Sequence, residues 1–170
     1  MKRCSLLAVC LAVVFSFTAL TGCMRADSAK RKVRAFVSAH EQELNAVIDE
    51  LCVRYSEELR SSRVCDITAE NLKEDCPVIA SFFAEYAEEG YKKITLLKGG
   101  YVELVKSGAT GNSWTYVGFY HSPSGQPLSF FDGELKETDP GCWEETKEDS
   151  DNSSESESLG GGWFAFVMYF

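Results

Sequence analysis

The chain has 170 residues, with 17 basic and 26 acidic side chains and a formal charge of −9 at pH 7. That length suits one ordinary domain with a single core. The acidic excess excludes a nucleic-acid binder, which needs a basic footprint to neutralise phosphates.

Lys2 and Arg3 precede an apolar run from Leu6 to Leu20, interrupted only by Ser16 and Thr18. A positive start, a short apolar middle and a small-residue exit describe a secretory signal peptide. The run is about 15 residues, short of the roughly 20 that a permanent membrane helix needs. Its exit, Leu20-Thr21-Gly22-Cys23, resembles the lipobox of bacterial lipoproteins. That resemblance implies that residues 1–22 are removed and that Cys23 carries the lipid. Two or three acyl chains, palmitate among them, hold a domain stably at about 0.8 kcal/mol per buried methylene. The expected place is the bacterial cell envelope, on the extracytoplasmic side of a membrane. Without Lys2 and Arg3 the mature 148 residues carry 15 basic and 26 acidic groups, a formal −11.

Residues 23–32 read as a basic linker behind the lipid. Arg25, Lys30, Arg31, Lys32 and Arg34 are opposed only by Asp27. The cluster suits anionic head groups, at about 1 kcal/mol per cation near the surface, or is a solvated tether.

A single domain is expected over residues 33–170. Val33, Phe36, Val37, Leu44, Val47, Ile48, Leu51, Cys52, Tyr55 and Leu59 recur at three- and four-residue steps, which predicts one amphipathic helix over 33–60. Thr68 is placed to cap a short helix, with Ile67 before it and Leu72 inside. Pro77 then opens a second helix whose stripe Ile79, Phe82, Phe83, Tyr86 ends at Gly90. Beyond Gly90 the period becomes that of strands. Runs 91–97 and 101–106 flank Lys98-Gly99-Gly100, a hairpin signal. Trp114 to His121 is the strongest strand, rich in aromatic and β-branched residues. A further short strand is predicted at 127–131. Asp139-Pro140-Gly141 turns 134–138 back into 142–147. The polar tract 148–162 reads as a disordered acidic loop, and 163–170 as a last strand. Helices first and short turns between strands afterwards predict a two-layer α+β domain. In it a long helix and a shorter one pack on one antiparallel sheet of about six strands.

The second half, "WTYVGFYHSPSGQPLSF" with "GCWEE" and the terminal "WFAFVMYF", resembles a group of small exported bacterial proteins. An aromatic-Gly-Phe-Tyr-x-Ser-Pro run, a Pro-Leu segment, a Gly-Trp hairpin and an aromatic last strand mark that group. The group has no assigned activity, so the resemblance implies a fold and no catalytic or binding residue. The acidic serine tract stands where the group has an aromatic segment.

Cys52, Cys65, Cys76 and Cys142 allow two disulfides in an exported chain, with Cys65–Cys76 and Cys52–Cys142 preferred. Two histidines and no Cys-x-x-Cys spacing give no zinc site and no other cofactor. His121, Ser122 and Asp132 are near in sequence but form no nucleophile elbow. The main functional expectation is a non-enzymatic binding domain that takes a protein, peptide or glycan partner on an aromatic sheet face. Trp114, Tyr116, Tyr120 and Trp163 would form that face. The alternative is an envelope enzyme of the hydrolase type built around His121. Nothing in the sequence sets the oligomeric state.

Overall fold

The computed structural model describes residues 3–61, 63–105, 115–147 and 150–170, with side chains from residue 28 onward. Helix α1 runs Arg3–Arg54, with non-helical backbone at His40. A short α2 follows at Ser56–Arg60, and α3 spans Pro77–Tyr86. Eight strands complete the chain: β1 Cys65–Ile67, β2 Ile94–Leu96, β3 Val102–Val105, β4 Thr115–His121, β5 Glu134–Asp139, β6 Cys142–Thr146, β7 Ser153–Gly160 and β8 Trp163–Tyr169. They form one sheet in the order β1-β2-β3-β4-β8-β7-β6-β5. The pairings are all antiparallel. The domain is therefore α+β with an antiparallel sheet. The sheet is larger than the expected six strands.

The predicted helical stripe is the one that buries. Val33, Phe36, Val37, Leu44, Val47, Ile48, Leu51 and Tyr55 all leave solvent. They meet Ile79, Phe82 and Phe83 of α3 and the first face of the sheet, where Ile94, Leu96, Phe119, Trp163 and Val167 lie. Cys52 is the exception on that stripe, being exposed. The expected break near Ser61 comes earlier, at Tyr55, whose hydroxyl accepts the Lys73 amide at 2.9 Å. Helix α3 opens on its proline as expected. Its first free amides, Val78 and Ile79, donate to the Glu50 carboxylate at 3.3 and 2.8 Å, which caps the helix from a neighbouring element. The segment after Thr68 is a turn rather than a helix, with the Asn71 side chain accepting the Thr68 amide at 2.7 Å.

Two further expectations are corrected. The acidic tract expected as a disordered loop over 148–162 is ordered over its described part: Ser153–Gly160 is β7, paired on both sides, to β6 and β8. Its register places Ser154 and Ser156 inward, both buried, while Glu155 and Glu157 face α1. There Lys30 reaches Glu155 at 2.9 Å and Arg34 pairs with Glu157. The basic segment before residue 35 is thus not a free linker. It is helical, and two of its cations are bound to the acidic strand. The turn to β8 uses Gly160, Gly161 and Gly162 at φ 89, 59 and 85°, a conformation side chains resist. A Cβ on Gly162 would lie 2.9 Å from the His121 ring.

The second correction concerns 127–131, which is a strap and not a strand. Its amides do not join a ladder. Phe130, Phe131 and Gly133 donate instead to the Glu145 carboxylate at 2.8, 3.0 and 2.8 Å. The strap lays Leu128, Phe130 and Phe131 over the second sheet face, against Tyr120, Phe164 and Phe166.

Candidate functional site

The strap decides the fate of the expected aromatic face. Tyr120 is fully buried; its ring stacks on Phe164 at 5.1 Å and its hydroxyl accepts the Leu128 amide at 2.9 Å. Burial pushes that phenol up to about 12, against the opposing hydrogen bonds from Ser156 and Leu128. Trp163 is buried on the opposite face, under α1, with its indole N–H donated to Asn45 at 2.9 Å. Tyr120 and Trp163 therefore share no surface and serve packing. Tyr116 remains accessible, at 39% exposure. Trp114 lies outside the described residues, and so does the side chain of Cys23.

The hydrolase set does not assemble. His121 sits against Trp163, ring centroids 5.0 Å apart. Burial lowers its basicity, and only Asp49 opposes that. The Ser122 hydroxyl is spent on the turn, accepting the Gln126 amide at 3.1 Å. Asp132 follows Phe131, whose ring meets Phe170 at 5.7 Å. Trp163 and Phe170 mark opposite ends of the last strand, about 20 Å apart at 3.3 Å per residue. No one bond can be reached from both His121 and Asp132.

The preferred disulfides are likewise not formed. Cys52, Cys65, Cys76 and Cys142 are free thiols. Cys142 lies by Lys30, Arg34 and Glu157. Cys52 is 18 residues beyond Arg34, about 27 Å along the helix, far outside the reach of a disulfide. Cys65 and Cys76 both neighbour Tyr55. Among the described residues no group of three His, Cys, Asp or Glu side chains suits a metal ion, and no helix is long and apolar enough to cross a membrane.

Among the described residues, three other groupings of chemistry-bearing side chains bear on function. At the α1 irregularity the Tyr86 hydroxyl lies 2.9 Å from His40 Nδ1 and donates to Glu43. Phe36 covers the His40 ring at 4.7 Å. The Tyr86 hydroxyl bond holds the Glu43 carboxyl below its ordinary range, against a smaller effect of burial. This knot ties α1 to α3. A second place is a shallow groove of about 530 Å³ beside Cys76 and Pro77. Its Lys73 is already bound by Glu58 at 2.5 Å and by the Arg54 carbonyl at 2.9 Å.

The third is the half of the second sheet face that the strap leaves bare. Across β1, β2 and β3 the register aligns Asp66 with Thr95 and Thr95 with Glu103, so the three share one face. Thr95 donates to Asp66 at 2.8 Å, and Lys93 reaches the same carboxylate at 3.0 Å. The Asp66 and Lys93 side chains are nearly half exposed. Glu103 is different: half-buried, it makes no side-chain hydrogen bond or ion pair among the described residues. Burial pushes its carboxyl up to about 7; Lys93 pulls the other way and Asp66 adds to the rise. Tyr116 borders the group, its phenol raised by burial and by Glu103. The alternation of 101–106 announces a strand, but no sequence signal singles out Glu103. Its isolation depends on which residues β2 and β4 set opposite it.

Comparison with known proteins yields no matching family model, no matching curated protein and no matching solved structure.

Proposed function

We propose that the chain is a lipid-tethered envelope domain, acylated at Cys23 and facing away from the cytoplasm, that works by binding a partner. The recognition surface is the open half of the second face, with Glu103 as its floor, Tyr116 as its wall and the Asp66–Lys93 pair at its rim. The observation that carries this reading is Glu103, a carboxylate withdrawn from water without a partner. Such a group gains from an arriving cation, because a charge pair is stronger away from bulk water. A neighbouring tyrosine ring adds cation–π attraction. The partner class is therefore a protein or peptide that presents a lysine or arginine side chain, steered by the acidic net charge of the domain.

A short peptide containing lysine and arginine tests this on the full chain. The parent should bind it, and Glu103→Gln should weaken binding about tenfold, the worth of one charge-assisted contact. Tyr116→Ala should weaken it about threefold. Equal affinity for parent and Glu103→Gln overturns the site. The anchor has its own test: Cys23→Ser should move the chain from the detergent phase to the aqueous phase.

A further inference from the structure

The direction of α1 relative to the sheet says which end of the domain lies nearest Cys23. Lys30 pairs with Glu155, Arg34 with Glu157, and Asn45 with Trp163. Helix numbering therefore rises from the Tyr169 end of β8 toward its Trp163 end. Glu155 is level with Val167 across the β7–β8 ladder. Cys23 precedes Lys30 by seven residues of continuous helix, about 10 Å at 1.5 Å per residue. Three residues of strand, Val167 to Phe170, also cover about 10 Å. Cys23 therefore stands level with the Phe170 end of the sheet. The helix there is fixed to the sheet by two ion pairs and by Val33 and Ala29 in the core, so no slack separates the anchor from the domain.

That same end carries exposed aromatic rings. Phe170 is 49% exposed, with Phe131 edge-on to it at 5.7 Å. Tyr116, opposite Met168 on β4 and assigned above to the partner surface, is the other exposed aromatic of the described residues. The remaining exposed large apolar side chains of the described residues, Val53 and Val64, are aliphatic. Val53 lies at the far end of α1, and Val64 beside Cys65, level with Leu96. Exposed phenylalanine rings gain by burial at the boundary between head groups and acyl chains, as the apolar side chains of interfacial segments do.

We infer that the Phe131–Phe170 corner of the domain docks on the lipid surface to which Cys23 ties it, with the sheet strands standing out from the membrane and Tyr116 left to the partner surface. This rests on the acylation of Cys23 proposed above. The test uses the acylated full chain in phosphatidylcholine–phosphatidylglycerol vesicles carrying brominated acyl chains. Flotation reports the anchor, and bromine quenching of an added tryptophan reports depth. Relative to the parent, Phe170→Trp should add fluorescence that is quenched about twofold, while the signal added by Val53→Trp should be unquenched. Phe131→Trp repeats the measurement should Phe170→Trp not fold. If the chain floats and the added signals are all unquenched, or all quenched equally, the docking is overturned and the anchor stands. If the chain does not float, both fall together.

Discussion

Glu103 and Glu145 show how one side-chain type takes opposite roles on one sheet face. Glu145 is fully buried, yet five donors converge on it: Ser129 and Ser154 hydroxyls at 2.6 and 3.0 Å, and the amides of Phe130, Phe131 and Gly133. Burial alone would raise its carboxyl; the hydrogen bonds outweigh that and hold it below the ordinary range. Glu103 has burial without the donors, and sits at about 7 against an ordinary 4.5. Between those two values the folded chain holds a proton that the unfolded chain has released. Its contribution to stability is thus complete below 4.5 and lost as pH rises through 7. Glu103→Gln, neutral at every pH, should be more stable than the parent at pH 8 by about 1–2 kcal/mol after solvent screening. At pH 4.5 it should be nearly equal to the parent. Urea midpoints at the two pH values check it, and a difference that ignores pH would remove the claim that Glu103 is strained by its charge.

Elements were legible where hydrophobic pattern alone decides them. The stripe from Val33 to Tyr55 is buried except at Cys52, and Thr115–His121 forms the strand its composition predicts. Reading failed where a distant polar group overrides local pattern. Aromatic 127–131 looks like a strand, but the Glu145 carboxylate takes its amides and bends it into a strap. Serine-rich 153–158 looks disordered, yet its strict Ser/Glu alternation is period two. The structure sets small serines under the aromatic face and glutamates against α1 cations. That alternation was the available signal, hidden by composition. The same logic explains why Tyr120 does not reach an open aromatic surface: the segment that covers it carries the pattern of a ladder strand. The strap's dependence on one carboxylate is testable. A glutamine offers one weaker acceptor oxygen to five donors, so Glu145→Gln should cost about 2–4 kcal/mol. The amides of Phe130, Phe131 and Gly133 should lose hydrogen-exchange protection first, while those of α1 keep theirs. The parent should also lose stability as pH falls below 4.5 and through the depressed folded value, and the variant should lack that acid limb.

At the scale of the molecule the charge distribution has a mechanical consequence. The chain separates its basic segment from its acidic strand by more than 120 positions, and the fold brings them together along the edge where α1 crosses β7. Neither ion pair is deeply buried, so each contributes little to global stability, about 0.2–1 kcal/mol. Their effect is local. Among the described side chains, those of residues 28–38 that pack on the core are Ala29, Val33, Phe36 and Val37, and α1 meets β7 far less than it meets β4 and β8. Without the glutamates, residues 29–37 have four apolar side chains to hold them and an interrupted helix at His40 beyond. Glu155→Ser with Glu157→Ser keeps the small-residue face of β7 while removing both charges. That double variant should lower global stability by only about 1 kcal/mol, yet protection of the amides from 30 to 38 should fall at least tenfold. Protection beyond 44 should be unchanged. High salt should reproduce part of this loss in the parent and add nothing in the variant. Uniform loss along the whole helix would instead mean that core packing alone orders it, and that the ion pairs merely accompany the contact.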